Sequence, residues 1–465
     1  MRRMFSFRCA FLLAFFFSPT LVGVLPATAQ TAAKHSPLLA ATQPMGWNSW
    51  DSYGFTIDEA TFKANAEWLN ANLKQYGWNY VVIDEGWYLK HPENGGKPAW
   101  LFTINDHGLL VPDEARYPDA ANGAGFKPLA DWVHARGLKF GLHIVHGIPR
   151  EVVDKNMPVA GSAFHAQEVA NKSDICRWNA DNYGINANAA GQAYYDSLVK
   201  MYAGWGVDFL KVDCISQPYH DDEIRMLHEA IAKSGRGIVL SLSPGPTPIE
   251  KAEDAAKHAQ MWRISDDFWD YWTKPDPKNT FPQSIKAQFD NAAAWSRYAT
   301  TGHWPDADML PIGHLGPHPG YGPVRDTRLT HDEQRTLLTA WSMFRSPLVL
   351  GSNLTQMDDF TTSLLTDPEV IAVDQHSTAN HPVIHTADAI VWLARPDSGS
   401  GYYLAVFNTG DAAQTLQYAW KDLELSGAAY GVRDLWLRKD LGRAPSLKVT
   451  LSPHAAALYR LTAVK

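Results

Sequence analysis

Two adjacent carboxylic acids, Asp84 and Glu85, follow an apolar run in the segment VVIDEGWYLK. A strand that is covered on both faces is normally apolar throughout, and an unpaired buried charge is costly. The two acids at the end of this run must therefore face either water or a polar ligand.

A second pair of chemically active residues lies in the segment FLKVDC, where one residue separates Lys211 from Asp213. Side chains alternate along a strand, so Lys211 and Asp213 share one face while Leu210 and Val212 occupy the other. The lysine should lower the pKa of the carboxyl group and leave Asp213 ionised at neutral pH, as a nucleophile must be. A structural ion pair that closes the strand is the alternative interpretation of this motif.

The segment MWRISDDFWD supplies a partner acid for Asp213, because it contains both Asp266 and Asp267. Adjacent residues do not point the same way, so one should face a pocket while the other faces solvent or caps a following helix. Glycoside hydrolases commonly use two carboxylic acids that lie on either side of the scissile bond of a sugar. One attacks or activates water and the other protonates the leaving oxygen, and a spacing of about 5 Å predicts retention of configuration.

These acids belong to a series of short apolar segments that alternates with stretches of helical period between about residues 44 and 350. The predicted strands are PMGWNSW, NYVVIDE, LKFGLHI, VDFLKVD, GIVLSLS, MWRIS, GHWPDADML and SPLVLGS. Eight β-then-α units predict an α/β protein with a parallel (β/α)8 TIM barrel rather than an open sheet. The active site of such a barrel lies at the carboxyl ends of its strands.

Polar or aromatic residues gather at these predicted strand ends. They are Trp50, Asp84, Glu85, His143, Lys211, Asp213, Ser243, Arg263, Asp267, Asp306 and Asp308. Because several strand ends would deliver such groups to one rim, the sequence predicts a single polar pocket there.

The pattern changes in residues 376–465 to short strands with turn signals and without helices between them. This pattern predicts a small antiparallel β domain after a barrel of residues 40–372. Nothing in the sequence indicates a repeat or a long linker.

The N-terminal 29 residues have the pattern of a secretory signal peptide. Arg2 and Arg3 precede an apolar stretch, and the small residues of Ala27-Thr28-Ala29 form a cleavage site. A membrane anchor is the alternative, but Ser18 and its neighbouring proline split the apolar segment. The sequence therefore predicts a secreted or periplasmic protein without a stable membrane anchor.

The composition narrows the possible partners. Asp plus Glu is 49 against 41 for Lys plus Arg, a net charge of -8, and no basic run lies beyond the N-terminus. This charge balance disfavours nucleic acid as a partner, and the sequence predicts none. The 18 tryptophans suit the flat faces of sugars, although an aromatic core gives the same count. After signal removal only Cys176 and Cys214 remain, either bonded or free, and no zinc or iron–sulfur spacing occurs.

Seven motifs resemble, in their order and close to their wording, those of glycoside hydrolase family 27, the α-galactosidase and melibiase group. They are MGWNSWDSYG, DEGW, GLKFGLHI, GWGVDFLKVD, WRISDD, WPDADMLPIG and RSPLVLGSNL. The resemblance extends from about residue 44 to the C-terminus. It implies a (β/α)8 barrel with a C-terminal β-sandwich and a retaining exo-glycosidase that needs no cofactor and removes terminal α-D-galactosyl residues.

The resemblance also implies roles for individual residues. It assigns the nucleophile to Asp213 and the acid/base to Asp267, four residues after the arginine of the W-R motif. The matching sugar-contacting positions are Trp50, Asp84, Lys211, Arg263 and Asp308. A disulfide between Cys176 and Cys214 is implied as well, although the cysteine here follows the nucleophile directly instead of after one intervening residue.

The DEGW motif departs from the family pattern, which usually reads Asp-Asp-Cys-Trp. Gly86 replaces one cysteine and Phe55 stands where its partner would be, so both halves of one disulfide are absent together. Glu85 is one methylene longer than the usual aspartate, so its carboxylate should reach about 1.5 Å further toward the sugar's C4 and C6 hydroxyls. β-L-Arabinopyranose has the ring stereochemistry of α-D-galactose without the hydroxymethyl group, which makes β-L-arabinopyranosidase an alternative activity.

Two further positions depart from the family pattern. Ser243 stands where galactosidases commonly place a glutamate for the sugar's 2-hydroxyl, and the room it leaves makes α-N-acetylgalactosaminidase another alternative. His143 stands where a tyrosine is usual, and it either hydrogen-bonds the sugar or is satisfied in the core.

Two other classes of function are open to test. An inactive sugar-binding relative would keep Trp50, Asp84 and Arg263 but lose one catalytic acid, and both acids are present. A metal-dependent hydrolase built on His143 and His146 is disfavoured, because an i, i+3 pair on a strand-to-loop segment does not share one face. The sequence thus predicts a carbohydrate substrate, no metal and no cofactor, and it leaves the oligomeric state undetermined.

Overall fold

The computed structural model describes Ala10 and residues 38–92 and 101–463 of the chain. A parallel barrel comes first, and all of its predicted strands are present. They are β1 (Met45–Asn48), β2 (Tyr80–Ile83), β3 (Lys139–Val145), β4 (Phe209–Asp213), β5 (Val239–Leu242), β6 (Met261–Arg263), β7 (Trp304–Asp306) and β8 (Leu348–Leu350). The predicted (β/α)8 fold is confirmed.

The strands pair in parallel in the order β7-β6-β5-β4-β3-β2-β1-β8. Gly46 of β1 lies opposite Tyr80 of β2, and a bridge from Leu310, just after β7, to Leu350 of β8 closes the barrel. Each residue of β2 is buried, as expected for a strand covered by helices on one side and by the barrel interior on the other.

Helices cover the outside of the barrel. Among the described residues the α-helices are α1 (Trp50–Tyr53), α2 (Glu59–Asn72), α3 (Lys127–His134), α4 (Arg150–Asp154), α5 (Ala166–Val169), α6 (Ala189–Trp205), α7 (Asp221–Ser234), α8 (Ala252–His258), α9 (Ile285–Trp295), α10 (His331–Phe344), α11 (Asp359–Leu365) and α12 (Pro368–Gln375). Local sequence sets their ends. For example, the Asn188 side chain accepts the N–H of Gly191 where α6 begins, and Gly206 ends that helix with a φ of 93°.

Short elements lie in the loops. The 3-10 helices are Gly54–Thr56, Lys74–Tyr76, Pro118–Ala120, Ile249–Lys251, Ser296–Tyr298, Leu354–Gln356 and Trp420–Leu423, and the loop strands are Ile148–Pro149, Ala170–Asn171, Asn182–Ile185, His314–Leu315 and Arg325–Asp326. Three of these strands form a small sheet after β3, with Asn182–Ile185 in its centre.

An antiparallel β-sandwich follows the barrel. Its strands are β9 (Ser377–His385), β10 (Ala389–Pro396), β11 (Tyr402–Asn408), β12 (Gln414–Ala419), β13 (Tyr430–Asp434), β14 (Lys439–Ala444), β15 (Ser446–Leu451) and β16 (Ala456–Ala463). One sheet has the order β9-β10-β11-β16-β13-β14 and the other pairs β12 with β15. An apolar core that includes Val406, Leu416 and Leu447 lies between them.

Aromatic contacts join the sandwich to the barrel. The Trp272 ring stacks on His454 with ring centroids 4.0 Å apart, and the ring centroids of Phe289 and Phe407 are 4.8 Å apart.

The domain boundaries at 40–372 and 376–465 stay predictions. The predicted signal peptide, residues 1–29, lies outside the described residues apart from Ala10. Within the described part of the chain, no helix is long and apolar enough to span a membrane.

Candidate active site

Alternation along the barrel strands produces an apolar floor and a polar rim. The buried floor inside the barrel consists of Tyr80, Val82, Phe209, Val239, Met261 and Trp304. The next positions on the same face are Asp84 after β2, Lys211 and Asp213 on β4, Ser241 and Ser243 on and after β5, Arg263 on β6 and Asp306 on β7. The polar residues of the rim therefore follow from the two-residue period of the strands.

A cavity of about 390 Å³ lies at this rim, within the usual size of small-molecule sites, about 300–1,000 Å³. Eight of the ten predicted catalytic and sugar-binding residues line it: Trp50, Asp84, Glu85, Lys211, Asp213, Arg263, Asp267 and Asp308. The structure thus brings both predicted catalytic acids to one pocket.

Asp84 lies deep in the pocket, with 2% of its side chain exposed. Nζ of Lys211 is 3.0 Å from its Oδ2, and Asn48 Nδ2 donates to the same oxygen at 2.6 Å. Burial raises the pKa of Asp84, but the charges of Lys211 and His143 lower it by more, so its pKa is lowered overall. Asp84 is therefore an ionised acceptor held in a fixed orientation.

Asp213 ends β4 with 13% of its side chain exposed. Burial raises its pKa, but a hydrogen bond from His143 Nε2 at 3.0 Å and the charges of His143 and Lys211 lower it by more. The predicted effect of Lys211 is confirmed. The larger effect, however, comes from His143, and Lys211 forms its own ion pair with Asp84.

Asp267 is the more accessible acid, with 42% of its side chain exposed. Nη2 of Arg263 lies 3.2 Å from its Oδ1. Desolvation raises the pKa of Asp267, Arg263 lowers it and the negative charge of Asp213 raises it, with a net pKa above 3.8. The pKa values of Asp213 and Asp267 are thus shifted in opposite directions, which suits one ionised and one protonated acid.

Asp308 contacts both Arg263 and the loop that carries Asp267. Its Oδ2 lies 2.7 Å from Nη2 of the buried Arg263 and accepts the backbone N–H of Phe268 at 2.7 Å. This bond ties the loop that carries Asp267 to the segment after β7. The φ of Asp308 is 82°, a left-handed conformation that non-glycine residues rarely adopt and that is concentrated at functional sites.

Glu85 forms part of the pocket wall and is 3% exposed. Asn179 Nδ2 donates to Glu85 Oε1 at 2.6 Å, which fixes one oxygen of the carboxylate. The next residue, Gly86, has a φ of 95°, and a Cβ added there would lie 2.9 Å from Cδ1 of Phe55. The Phe55 ring therefore occupies the space beside Gly86, where the family pattern places a disulfide.

Two predicted sugar-binding residues lie outside the lining of the pocket. His143 is fully buried and contacts Asp213 from β3, while its Nδ1 has no hydrogen-bond partner among the described residues. Ser243 lines a smaller cavity beside Lys211 and Arg263, and its Oγ is likewise without a partner in the described part of the chain. The structure places His143 against Asp213, outside the pocket lining.

Sequence reasoning missed several residues of the pocket. Asp51 lines it and is 1% exposed, and burial, followed by the charge of Asp308, raises its pKa well above 3.8. Its position next to Trp50 in MGWNSWDSYG was the available signal. Asp266 also lines the cavity, whereas the sequence predicted that one of the two adjacent acids would face solvent or cap a helix. No helix begins beside Asp266 within the described residues, so the helix-cap alternative was wrong.

Aromatic side chains complete the lining of the pocket. They are Trp178, Phe268, Trp269, Phe281 and Tyr321. Trp178 is 46% exposed and Phe281 is 41% exposed, so both present apolar surface to solvent. Only the high tryptophan count pointed to them in the sequence.

The disulfide between Cys176 and Cys214 is present, which confirms the pairing that the family resemblance implied. Cys214 follows Asp213 directly and has a φ of 60°. The bond therefore attaches the loop of Trp178 and Asn179 to the residue next to Asp213.

Comparisons with known proteins agree with this geometry. The sequence profile described as Alpha galactosidase A matches residues 181–376, and the Alpha galactosidase C-terminal beta sandwich domain matches residues 386–461. The crystal structure of a family 27 β-L-arabinopyranosidase from Geobacillus stearothermophilus matches with a TM-score of 0.85 at 42% identity, covering 91% of this chain and 97% of that chain. The chain belongs to glycoside hydrolase family 27.

Proteins described as α-galactosidases match this chain at lower identity. Alpha-galactosidase A of Cellvibrio japonicus is 25% identical over 461 residues, which cover 95% of this chain and 97% of that protein. The structure of α-galactosidase I from Mortierella vinacea has a TM-score of 0.70 at 26% identity, covering 91% of this chain and 98% of that chain. The predicted family and the predicted glycoside hydrolase activity are confirmed.

Proposed function

We propose that this enzyme is a retaining exo-acting β-L-arabinopyranosidase, which removes terminal β-L-arabinopyranosyl residues from oligo- or polysaccharides. Glu85 is the observation that carries the proposal, because its buried side chain forms the pocket wall and is held there by Asn179. In the family pattern this position faces the sugar's C4 and C6 hydroxyls. The longer acid takes up the space of a hydroxymethyl group, and arabinopyranose lacks that group.

The degree of similarity supports the same substrate. Identity is 42% to the Geobacillus β-L-arabinopyranosidase, against 39% to the putative α-N-acetylgalactosaminidase of Bacillus halodurans and 25% and 26% to the two α-galactosidases.

In the first step, the Asp213 carboxylate attacks the anomeric carbon while Asp267 gives its proton to the glycosidic oxygen. The bond between the anomeric carbon and that oxygen breaks, the aglycone leaves as an alcohol, and a glycosyl ester forms on Asp213. The lowered pKa of Asp213 supplies the carboxylate, and the raised pKa of Asp267 supplies the proton.

In the second step, Asp267 is a carboxylate and takes a proton from an incoming water molecule. The water oxygen attacks the anomeric carbon and releases Asp213 in its ionised form. Two inversions at the same carbon restore the original configuration. Arg263, 3.2 Å from Asp267, stabilises the charge that Asp267 carries between the two steps.

The remaining pocket residues bind and orient the sugar. Asp84 accepts hydroxyl hydrogens while Lys211, in its ion pair with Asp84, donates to hydroxyl oxygens. Trp50 contributes an apolar surface on which a sugar face can pack.

α-D-Galactosidase activity is the second candidate, because five pocket residues match the sugar-contacting positions of the family. They are Trp50, Asp84, Lys211, Arg263 and Asp308. α-N-Acetylgalactosaminidase activity is a third candidate, because the structure of a putative α-N-acetylgalactosaminidase from Bacillus halodurans matches this chain at 39% identity. Ser243, the residue that suggested this activity, lies in the smaller cavity beside the pocket and not in the lining of the pocket itself. The presence of both acids in one pocket favours catalysis over inactive sugar binding.

The test compares kcat/KM for nitrophenyl β-L-arabinopyranoside and nitrophenyl α-D-galactopyranoside. We expect the arabinoside to be preferred by about 10-fold or more, the effect of one group in a pocket. A preference for the galactoside would replace the proposal with the second candidate. Asp213→Asn should reduce either activity by more than about 100-fold, while the surface control Asp131→Asn should not.

Export from the cytoplasm is part of the proposal. The sequence pattern of residues 1–29 supports a signal peptide, and the disulfide between Cys176 and Cys214 supports an oxidising compartment such as the periplasm or the extracellular space. Separation of culture medium, periplasm and cytoplasm, followed by N-terminal sequencing of the mature protein, tests it. Recovery of the uncleaved chain in the cytoplasm would contradict it.

A further inference from the structure

A cluster of potential metal ligands lies outside the sugar pocket, beside the disulfide. It consists of His146 after β3, Asp174 in the loop before α6 and His220 just before α7. One ligand atom from each residue lies within 4.8 Å of the others. The two imidazole rings are 4.3 Å apart between centroids.

Neighbouring groups hold the Nδ1 atoms of both histidine rings. Nδ1 of His146 lies 3.2 Å from Oε2 of Glu223, and Nδ1 of His220 lies 3.2 Å from the carbonyl oxygen of Ile215. An N–H at Nδ1 can donate to each of these oxygens, which leaves Nε2 of His146 for a metal. Nε2 of His220 lies 3.1 Å from Oδ2 of Asp174, and a metal ion would bind between these two atoms in place of their direct contact. This is the usual arrangement around metal-binding histidines, in which a carboxylate or a carbonyl fixes the tautomer.

Glu223 is itself held by its surroundings. It is nearly fully buried, its Oε1 accepts the backbone N–H of Ile185 at 2.8 Å, and its Oε2 accepts the hydroxyl of Tyr195. A fully supported carboxylate behind a histidine is characteristic of metal centres and is more than an isolated ion pair requires.

We propose that His146, Asp174 and His220 bind one Zn²⁺ ion, with water as the fourth ligand and Glu223 orienting His146. Two imidazoles and one carboxylate are ligands that zinc prefers. The two positive charges of the ion would balance the carboxylates of Asp174 and Glu223. Asp174 is 24% exposed and His220 is 12% exposed, so the ion can reach the site from solvent.

The separation of the ligand atoms sets the adjustment that binding requires. Zinc ligands at bonds of about 2.0–2.1 Å in a tetrahedral site are about 3.4 Å apart. The side chains, now within 4.8 Å, would therefore draw together by about 1 Å. Oδ2 of Asp174 and Nε2 of His220 are already 3.1 Å apart, so the movement would bring these two side chains closer to His146.

The ion would be structural, since its ligands do not line the sugar pocket. Asp174 is two residues before Cys176, in the loop that also carries Trp178 and Asn179. The disulfide and the ion would therefore attach this loop to the barrel at two neighbouring points. The proposal is independent of the sugar that the enzyme accepts.

The experiment measures zinc in the purified full-length enzyme, without a histidine tag, after chelation, addition of Zn²⁺ and removal of the excess. We expect about one zinc per chain, and a rise in Tm of about 2 °C or more when zinc is present well above its Kd. Co²⁺ in place of Zn²⁺ should give the visible absorption of a tetrahedral site.

His220→Asn and, separately, Asp174→Asn should each reduce bound zinc to below about a tenth of the wild-type value and abolish the rise in Tm. His134→Asn is the matched control, because His134 pairs with Asp208 at 2.7 Å on the protein surface. Zinc below about 0.2 per chain in the wild type, or equal zinc in the wild type and both variants, would overturn the proposal. Asp174→Asn gives the decisive measurement if His220→Asn does not fold.

Discussion

Shortening Glu85 is the sharpest test of how this pocket selects its sugar. Glu85→Asp removes one methylene and draws the carboxylate back by about 1.5 Å, the length of one carbon–carbon bond. The 2.6 Å bond to Asn179 Nδ2 should lengthen or break, because the side chain of Asn179 approaches from a different loop. The space that opens is about that of the hydroxymethyl group that distinguishes galactose from arabinopyranose.

The expected magnitude follows from this single group. One methylene in a pocket changes discrimination by about 1–3 kcal/mol, or about 10- to 200-fold. We therefore expect Glu85→Asp to shift the ratio of kcat/KM for the galactoside to kcat/KM for the arabinopyranoside upward by about that factor. The ratio is the quantity to measure, because losses from general loosening of the pocket affect both substrates and cancel.

The assay uses the two nitrophenyl glycosides at one pH, with a melting curve for each variant. Glu151→Asp is the matched control, since it shortens a glutamate that is 43% exposed on α4 and pairs with Lys155. That control should leave the ratio unchanged. A folded Glu85→Asp enzyme whose ratio stays within about twofold of the wild type would refute the steric explanation of the DEGW motif.

Three other predictions concern the acids and the DEGW turn. Asp267→Ala should slow substrates with poor leaving groups far more than nitrophenyl glycosides, since only the former need a proton, and equal losses would rule out Asp267 as the acid. The pH profile of kcat/KM should be a bell: activity falls as pH drops through the lowered pKa of Asp213, below 3.8, and as pH rises through the raised pKa of Asp267, above 3.8. For nitrophenyl substrates the fall in activity at high pH should disappear in Asp267→Ala. If it persists, a group other than Asp267 causes it. Gly86→Ala should destabilise the fold by about 1–3 kcal/mol, because a Cβ there meets the Phe55 ring and φ is 95°, and an unchanged Tm would contradict the contact.

The sequence could predict the barrel and most of the pocket because both depend on local periodicity. A two-residue alternation places Lys211 and Asp213 on one face whatever the rest of the chain does. Residues that follow strands in a parallel barrel meet at one rim, so Asp84 and Asp308 could be assigned to the same pocket from their positions alone. The disulfide and the catalytic roles came from the family motifs instead.

Contacts between distant segments could not be predicted in this way. Asn179 reaches Glu85 from 94 residues away, and the path of its loop has no periodic signal. The sequence suggested Lys211 as the group that keeps Asp213 ionised, whereas the neighbouring strand supplies His143 as the stronger influence. Which strand lies beside β4 is a property of the closed barrel.

The sequence by itself determined which residues face inward, because side-chain alternation is built into each strand. Only the tertiary structure decided which inward-facing groups touch, and with them the charges and pKa values of the pocket. A hydrogen bond or an ion pair depends on distances of a few ångströms between separate segments. Such distances are fixed only when the strands close into a barrel and the loops pack over its rim.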